Sequence, residues 1–141
     1  ELQSAGGLVE SMWSRREIEN YFCLEGVLLG FARHGLPDDL FGQAEGERRE
    51  QAMREAIAEV EAALQTLGKP GPWSSDVKAT DEFLDPLFKK YFGKLRLPLQ
   101  LRESDYHVLA GLVPPGLLDA EVLGKLDAIV RVAKWARPRT E

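Results

Sequence analysis

The chain is poor in the residues that build covalent and metal staples. It has one cysteine, Cys23, and two histidines, His34 and His107, in 141 residues. A single cysteine closes no internal disulfide. With only two histidines beside it, it falls short of the four ligands of a structural zinc site. A lone thiol fits a reducing compartment, so the expected location is cytoplasmic. No apolar run approaches the ~20 residues of a membrane span, and no membrane partner is expected. There is no G-x-x-x-x-G-K-[S/T] phosphate loop, no G-x-G-x-x-G before a helix, no G-x-S-x-G elbow and no His-Glu-x-x-His. A hydrolase or nucleotidase complete within these residues is therefore not expected. Strand signals are scarce too. The one alternating stretch, residues 95–101, carries Pro98 at its centre, which demotes it to an edge strand or an extended linker.

What is present reads as a folded helical domain. Hydrophobic residues make up 44% and charged residues 29%, a balance that supports a core. The net charge of −5 is uneven. Residues 1–61 carry 13 acidic and 6 basic side chains, a balance of −7, and residues 62–141 carry 10 acidic and 12 basic, a balance of +2. An acidic whole argues against a stand-alone nucleic-acid binder.

Periodicity predicts about five helices and a mainly α fold, with residues 1–141 as a single domain. Residues 15–33 read as a helix or a pair of helices. Ile18, Tyr21, Phe22, Leu24, Val27, Leu28 and Phe31 lie on a broad apolar face, with a break expected near Gly26. Gly35, Pro37 and the Asp38-Asp39 pair end it. Residues 45–67 are the clearest helix. Met53, Ile57, Val60, Leu64 and Leu67 recur at alternating steps of four and three, and Glu50 and Arg54 are set for an i,i+4 pair. Such a stripe suits one helix of an antiparallel hairpin, capped by Gly68. The longest loop is expected at 68–80. Asp85-Pro86 reads as an N-cap followed by proline at the first helical position, opening a helix with Leu87, Phe88, Tyr91 and Phe92 on one face. Ser104 or Asp105 is expected to cap a helix through Val113. The last helix, about 119–136, shows Val122, Leu123, Leu126, Ile129, Val130 and Ala133 on one side. Trp13, Trp73 and Trp135 are expected in core or edge packing, and His107 is expected to be a partly buried, satisfied histidine.

The chemistry concentrates near the N-terminus. Residues 13–22, Trp-Ser-Arg-Arg-Glu-Ile-Glu-Asn-Tyr-Phe, hold two carboxylates, two guanidiniums and three aromatics. A cluster of this density so early in the chain suggests a domain belonging to a larger protein. On a helix Glu17 and Glu19 point about 200° apart and cannot share one ion. On an extended segment they share a face. Either can complete a metal site begun elsewhere, since Mg²⁺ is held by carboxylates drawn from several segments. The simpler reading is local pairing with Arg15 or Arg16. In the second half Lys89, Lys90, Lys94, Arg96 and Arg102 interleave with Tyr91 and Phe92, as phosphate-contacting surfaces do. The aromatics themselves fall at core spacing.

Residues 16–21, Arg-Glu-Ile-Glu-Asn-Tyr, resemble the "R-E-I-E-N-Y-L" stretch that follows the metal-binding acidic strand in Toprim domains of OLD-type ATP-dependent endonucleases and related AAA ATPases. Residues 80–88, Thr-Asp-Glu-Phe-Leu-Asp-Pro-Leu-Phe, are similar to a "D-x-F-L-x-x-x-F" segment of that family. Residues 103–110 are similar to its "K-x-D-Y-H-x-L-A" stretch. The three matches stand in family order across residues 13–110.

The resemblance implies a helical C-terminal region at the edge of a Toprim site. It would belong to a parent with an ABC-like ATPase, active in DNA cleavage and phage defence. Carboxylates there place two Mg²⁺ or Mn²⁺ ions on a scissile phosphate. The glutamate of the "I-E-N" step maps to Glu19 as a metal ligand, with Glu17 the weaker candidate. The family lysine before "D-Y-H" maps to Arg102, which keeps the charge but changes the geometry, so a proton-transfer role would not carry over. The earlier Toprim glutamate, the Asp-x-Asp strand and the ATPase are not among these residues, so this stretch alone is expected to be inactive and to bind no metal tightly. Its implied partners are the ATPase and Toprim segments of the parent, with DNA contacting Lys89, Lys90, Lys94 and Arg96, and with a homo-oligomer admitted. The alternative is a non-enzymatic helical module that binds a partner protein. Its supports are the 53–67 stripe and the aromatic segment 83–92, and it predicts an exposed apolar patch or a helix-mediated dimer.

Overall fold

A computed structural model of the chain describes residues 3–5 and 8–136. The fold is mainly α. Among the described residues there are five α-helices and one two-stranded antiparallel ladder, in which β1 (Gln3–Ala5) pairs with β2 (Leu8–Glu10) with Ser4 opposite Val9. By proximity the chain divides into a central unit, Arg15–Val113, and a terminal unit drawn from Glu1–Ser14 and Pro114–Glu141.

The central unit is built on α2 (Leu40–Thr66), which packs against both α1 (Glu25–Arg33) and α3 (Asp85–Lys94). The predicted stripe is the seam. Met53, Ile57, Val60 and Leu64 are buried, while Leu67, just past the helix, is exposed. Phe88, Tyr91 and Phe92 of α3 meet it, with Phe31 of α1 set edge-on to Phe88 at 5.3 Å between ring centroids. Polar contacts flank the seam. Glu50 is held by Arg33 of α1 and by Arg54 at 2.8 Å, the expected i,i+4 pair. From α3, Lys90 reaches Glu59 at 2.8 Å, and Lys94 reaches Glu59 at 2.6 Å and Glu55 at 3.3 Å.

α2 ends as expected. Gly68 takes a positive φ of 65°, its N–H bonds the Gln65 carbonyl, and the Lys69 N–H bonds the Leu64 carbonyl, which is a Schellman closure. The start of α2 differs. Asp39, expected as a terminator, is its N-cap and accepts from the Gly42 N–H at 2.7 Å, so the helix begins five residues early. Gly42 is required there, because a Cβ would stand 1.8 Å from the Pro37 carbonyl oxygen.

Other boundaries moved for identifiable reasons. The segment 15–33 breaks at residues 22–24, not at Gly26, leaving a 3₁₀ turn at Ile18–Tyr21 ahead of α1. Asp85 is helical, not an N-cap. A π turn at Ala79–Leu84 runs straight into α3, and the Asp85 carboxylate instead accepts from the Tyr106 hydroxyl. The 68–80 loop is correspondingly shorter. α3 closes in a second Schellman pattern, Arg96 N–H to Gly93 and Leu97 N–H to Phe92. Here a non-glycine residue, Arg96, sits at φ 56°. Of residues 95–101, Leu95 and Arg96 belong to the closure of α3 and 97–101 form a linker, not a strand, with Leu95 and Leu101 buried. Neither Ser104 nor Asp105 opens a helix to Val113. A 3₁₀ turn at Glu103–Asp105 leads into the single turn α4 (His107–Ala110).

The terminal unit holds the hairpin and α5 (Ala120–Trp135), N-capped by Asp119 through the Glu121 N–H at 2.8 Å. The apolar face predicted for α5 is there but uncovered. Leu126 is 52%, Ile129 63% and Trp135 83% exposed, so Trp135 does not pack as expected. Among the described residues no helix is long and apolar enough to cross a membrane.

Candidate functional site

Residues 16–21 form a tight turn clamped onto the loop 74–80. Glu17 is extended, and its N–H donates to the Asn20 Oδ1 at 2.8 Å, closing the first turn of the 3₁₀ segment. Asn20 is buried, and its Nδ2 donates to two carbonyls of the loop, Ser74 at 3.1 Å and Val77 at 3.2 Å. One amide thus satisfies three backbone groups. That answers its own burial and theirs. Arg16 grips the same loop twice, by its backbone N–H to the Ser75 carbonyl at 2.9 Å and by its guanidinium to the Asp76 carbonyl at 3.1 Å. Tyr21 is buried, with the Arg15 guanidinium 5.2 Å from its ring centre.

The two glutamates have different fates. Glu17 accepts from the Thr80 N–H at 2.9 Å. It therefore caps, from a distant part of the sequence, the helical run that continues into α3, where a carboxylate is favoured by the unpaired N–H groups. Glu19 uses only its backbone, accepting from the Phe22 and Cys23 N–H groups at 3.1 and 3.0 Å. Its half-buried carboxylate has no hydrogen-bond or ion-pair partner among the described residues. Both charges are felt by Cys23. Burial first, and Glu19 and Glu17 after it, push that thiol up to about 12. The expected local pairing of these carboxylates with Arg15 or Arg16 does not describe Glu17, whose partner is Thr80.

A hard dication takes several oxygen ligands. Here Glu19 offers one available carboxylate, Glu17 is committed to Thr80, and among the described residues no three His, Cys, Asp or Glu side chains converge. A carboxylate is a donor type that Mg²⁺ and Mn²⁺ accept, and one alone is fewer ligands than either ion takes.

The remaining candidates are scattered along the chain that follows. Lys90 and Lys94 converge on Glu59, whose carboxyl is held down at about 2 by their hydrogen bonds. Lys89 and Arg96 are exposed. Arg102 is exposed at the head of the 103–105 turn, where its backbone N–H donates to the Asp105 Oδ2 at 3.1 Å. His107 is exposed, not partly buried, and its Nδ1 lies 3.1 Å from the Ser104 carbonyl.

Sequence reasoning missed Asn20 and the 74–80 loop as its seat. The Ser74–Asp76 stretch does signal a turn. Nothing local signals which side chain fills it from 54 residues away. Within the terminal unit a groove of about 530 Å³ is lined by Val9, Ser11, Trp13, Lys125, Ile129 and Val132. Lys125 lies 4.8 Å from the Trp13 ring centre. Comparison of the chain with protein-family models, with curated proteins and with solved structures gives no match.

Proposed function

We propose that this chain is the C-terminal helical region of an OLD-like, Toprim-containing ATPase-nuclease, contributing Glu19 to a metal site completed by the rest of the parent. The observation that carries the proposal is the turn at 16–21. Among the described residues every polar side chain of it except that of Glu19 is engaged, Arg16, Glu17 and Asn20 on the 74–80 segment and Tyr21 with Arg15. Glu19 is left half-buried on a rigid support. That is how a ligand carboxylate is prepared, since a donor already held in place loses little freedom when an ion arrives. A bound pair of divalent ions would supply charge stabilisation at both the attacking and the leaving oxygen of a phosphodiester. Arg102 would steady phosphate charge without moving a proton. Lys89 and Arg96 are available to a DNA backbone, whereas Lys90 and Lys94 would first have to leave Glu59.

The test starts from the coding sequence upstream of Glu1. An ABC-type ATPase followed by an Asp-x-Asp strand, with Glu19→Ala abolishing metal-dependent DNA cleavage by the whole protein, is the expected result. A parent without these parts, or one in which Glu19→Ala cleaves like the wild type, overturns the proposal.

A protein-interaction module is the second reading, favoured by the uncovered face of α5. Leu126→Glu with Ile129→Glu would then abolish partner capture or self-association measured by light scattering. An unchanged, strictly monomeric protein would end that idea.

A further inference from the structure

The metal reading concerns Glu19. It leaves open what fixes the position of its carboxylate. The backbone of a 3₁₀ turn one turn long has little stiffness of its own. The turn at Ile18–Tyr21 is followed by non-helical residues before α1 begins at Glu25. Its geometry must be imposed from outside, and the Asn20 side chain bonds both the turn and its seat. Oδ1 holds the Glu17 N–H, and Nδ2 holds the Ser74 and Val77 carbonyls. Glu17 and Arg16 add a bond to Thr80 and two to residues 75–76. Among the described residues no buried side-chain nitrogen or oxygen is left without a partner.

We infer that Asn20 is a positioning residue that fixes the Glu19 carboxylate for its ligand by locking the 16–21 turn onto the 74–80 loop. This rests on the metal-site proposal for Glu19. Its content is separate. The amide is chosen because it alone offers an acceptor to the turn and two donors to the loop. Aspartate in its place keeps the acceptor but replaces the donating nitrogen by one carboxylate oxygen that faces both carbonyl oxygens. Histidine or alanine cannot reproduce the pattern.

The experiment uses the full-length protein and measures Mn²⁺ affinity by electron paramagnetic resonance, beside thermal melting, for Asn20→Asp, Arg16→Ala and Glu19→Ala. Asn20→Asp is expected to weaken Mn²⁺ binding about tenfold at a temperature where it is fully folded, and Arg16→Ala about threefold. An ordinary structural role would lower the melting temperature and leave the affinity of the folded protein alone. Arg16→Ala removes only an exposed guanidinium contact, so it reports even if Asn20→Asp fails to fold. If Glu19→Ala weakens Mn²⁺ binding while the folded Asn20 and Arg16 variants bind like the wild type, the positioning role is overturned and the metal site stands. If Glu19→Ala binds Mn²⁺ like the wild type, the metal site is overturned and the positioning role with it.

Discussion

Tyr106→Phe isolates one hydrogen bond that joins two parts of the central unit. Tyr106 is 1% exposed, its ring stacks on Phe88 with centroids 5.7 Å apart, and its hydroxyl donates to the Asp85 carboxylate. Phenylalanine keeps the ring, so the packing survives and only the hydroxyl is lost. A hydrogen bond to a charged group contributes about 1.5–3 kcal/mol. Asp85 is half-buried, so water can reach part of the orphaned carboxylate, and the expected cost is about 2 kcal/mol. For a chain of this length that corresponds to a fall of about 7 °C in Tm. Asp85→Asn, which still offers an acceptor oxygen, is expected to cost less. In the double variant the two losses are expected to be far from additive, because both substitutions remove the same bond. Urea unfolding followed by circular dichroism gives all three values. A loss below about 0.5 kcal/mol for Tyr106→Phe would refute the reasoning, as would full additivity. Burial, and then the Asp85 bond and charge, push the Tyr106 phenol well above its ordinary range, so its ultraviolet titration should be missing from the native protein up to the pH at which it unfolds.

Three further outcomes follow from the same geometry. Arg96→Gly relieves a side chain from the left-handed region at φ 56° and is expected to stabilise by about 0.5–1 kcal/mol, read as a higher urea midpoint at constant slope; a destabilised variant would mean that the guanidinium has an undetected role. Cys23, with its pKa raised to about 12, should resist alkylation at pH 8 in the native state and react readily once unfolded; equal rates in the two states would refute its burial. Glu59 has a folded pKa of about 2 against 4.5 for the free group, so its pairing with Lys90 and Lys94 stabilises fully above about pH 4.5 and that stabilisation is lost as the pH falls toward 2. Lys90→Met with Lys94→Met should therefore flatten acid unfolding between those limits. An unchanged acid transition would show these ion pairs to be thermodynamically silent, as exposed pairs often are.

Much of the fold is legible in local spacing. The stripe from Met53 to Leu64, the Gly68 closure of α2 and the Glu50–Arg54 pair each depend on residues within a turn or two of one another. The misplaced boundaries differ in cause, and two of them show it, one through a partner distant in sequence and one through a close local contact. Asp85 has the right neighbours for an N-cap, but Tyr106 takes its carboxylate. Gly42 lets the chain before α2 fold back, so Asp39 starts a helix instead of ending one.

The sequence by itself determined that the chain would be mainly helical, where its longest helix would lie and which face of that helix would be buried. Those properties follow from a repeat near 3.6 residues and from the backbone limits of proline and glycine. It also marked residues 16–21 as the place where chemistry gathers. Only the tertiary structure decided how those six residues divide their roles. Glu17 caps a helix that begins more than sixty positions later, Asn20 closes the seat, and Glu19 finds no partner for its carboxylate among the described residues. Two glutamates two positions apart are chemically identical in a sequence. A neighbouring N–H, supplied by a remote loop, is what made one of them a structural cap and left the other available.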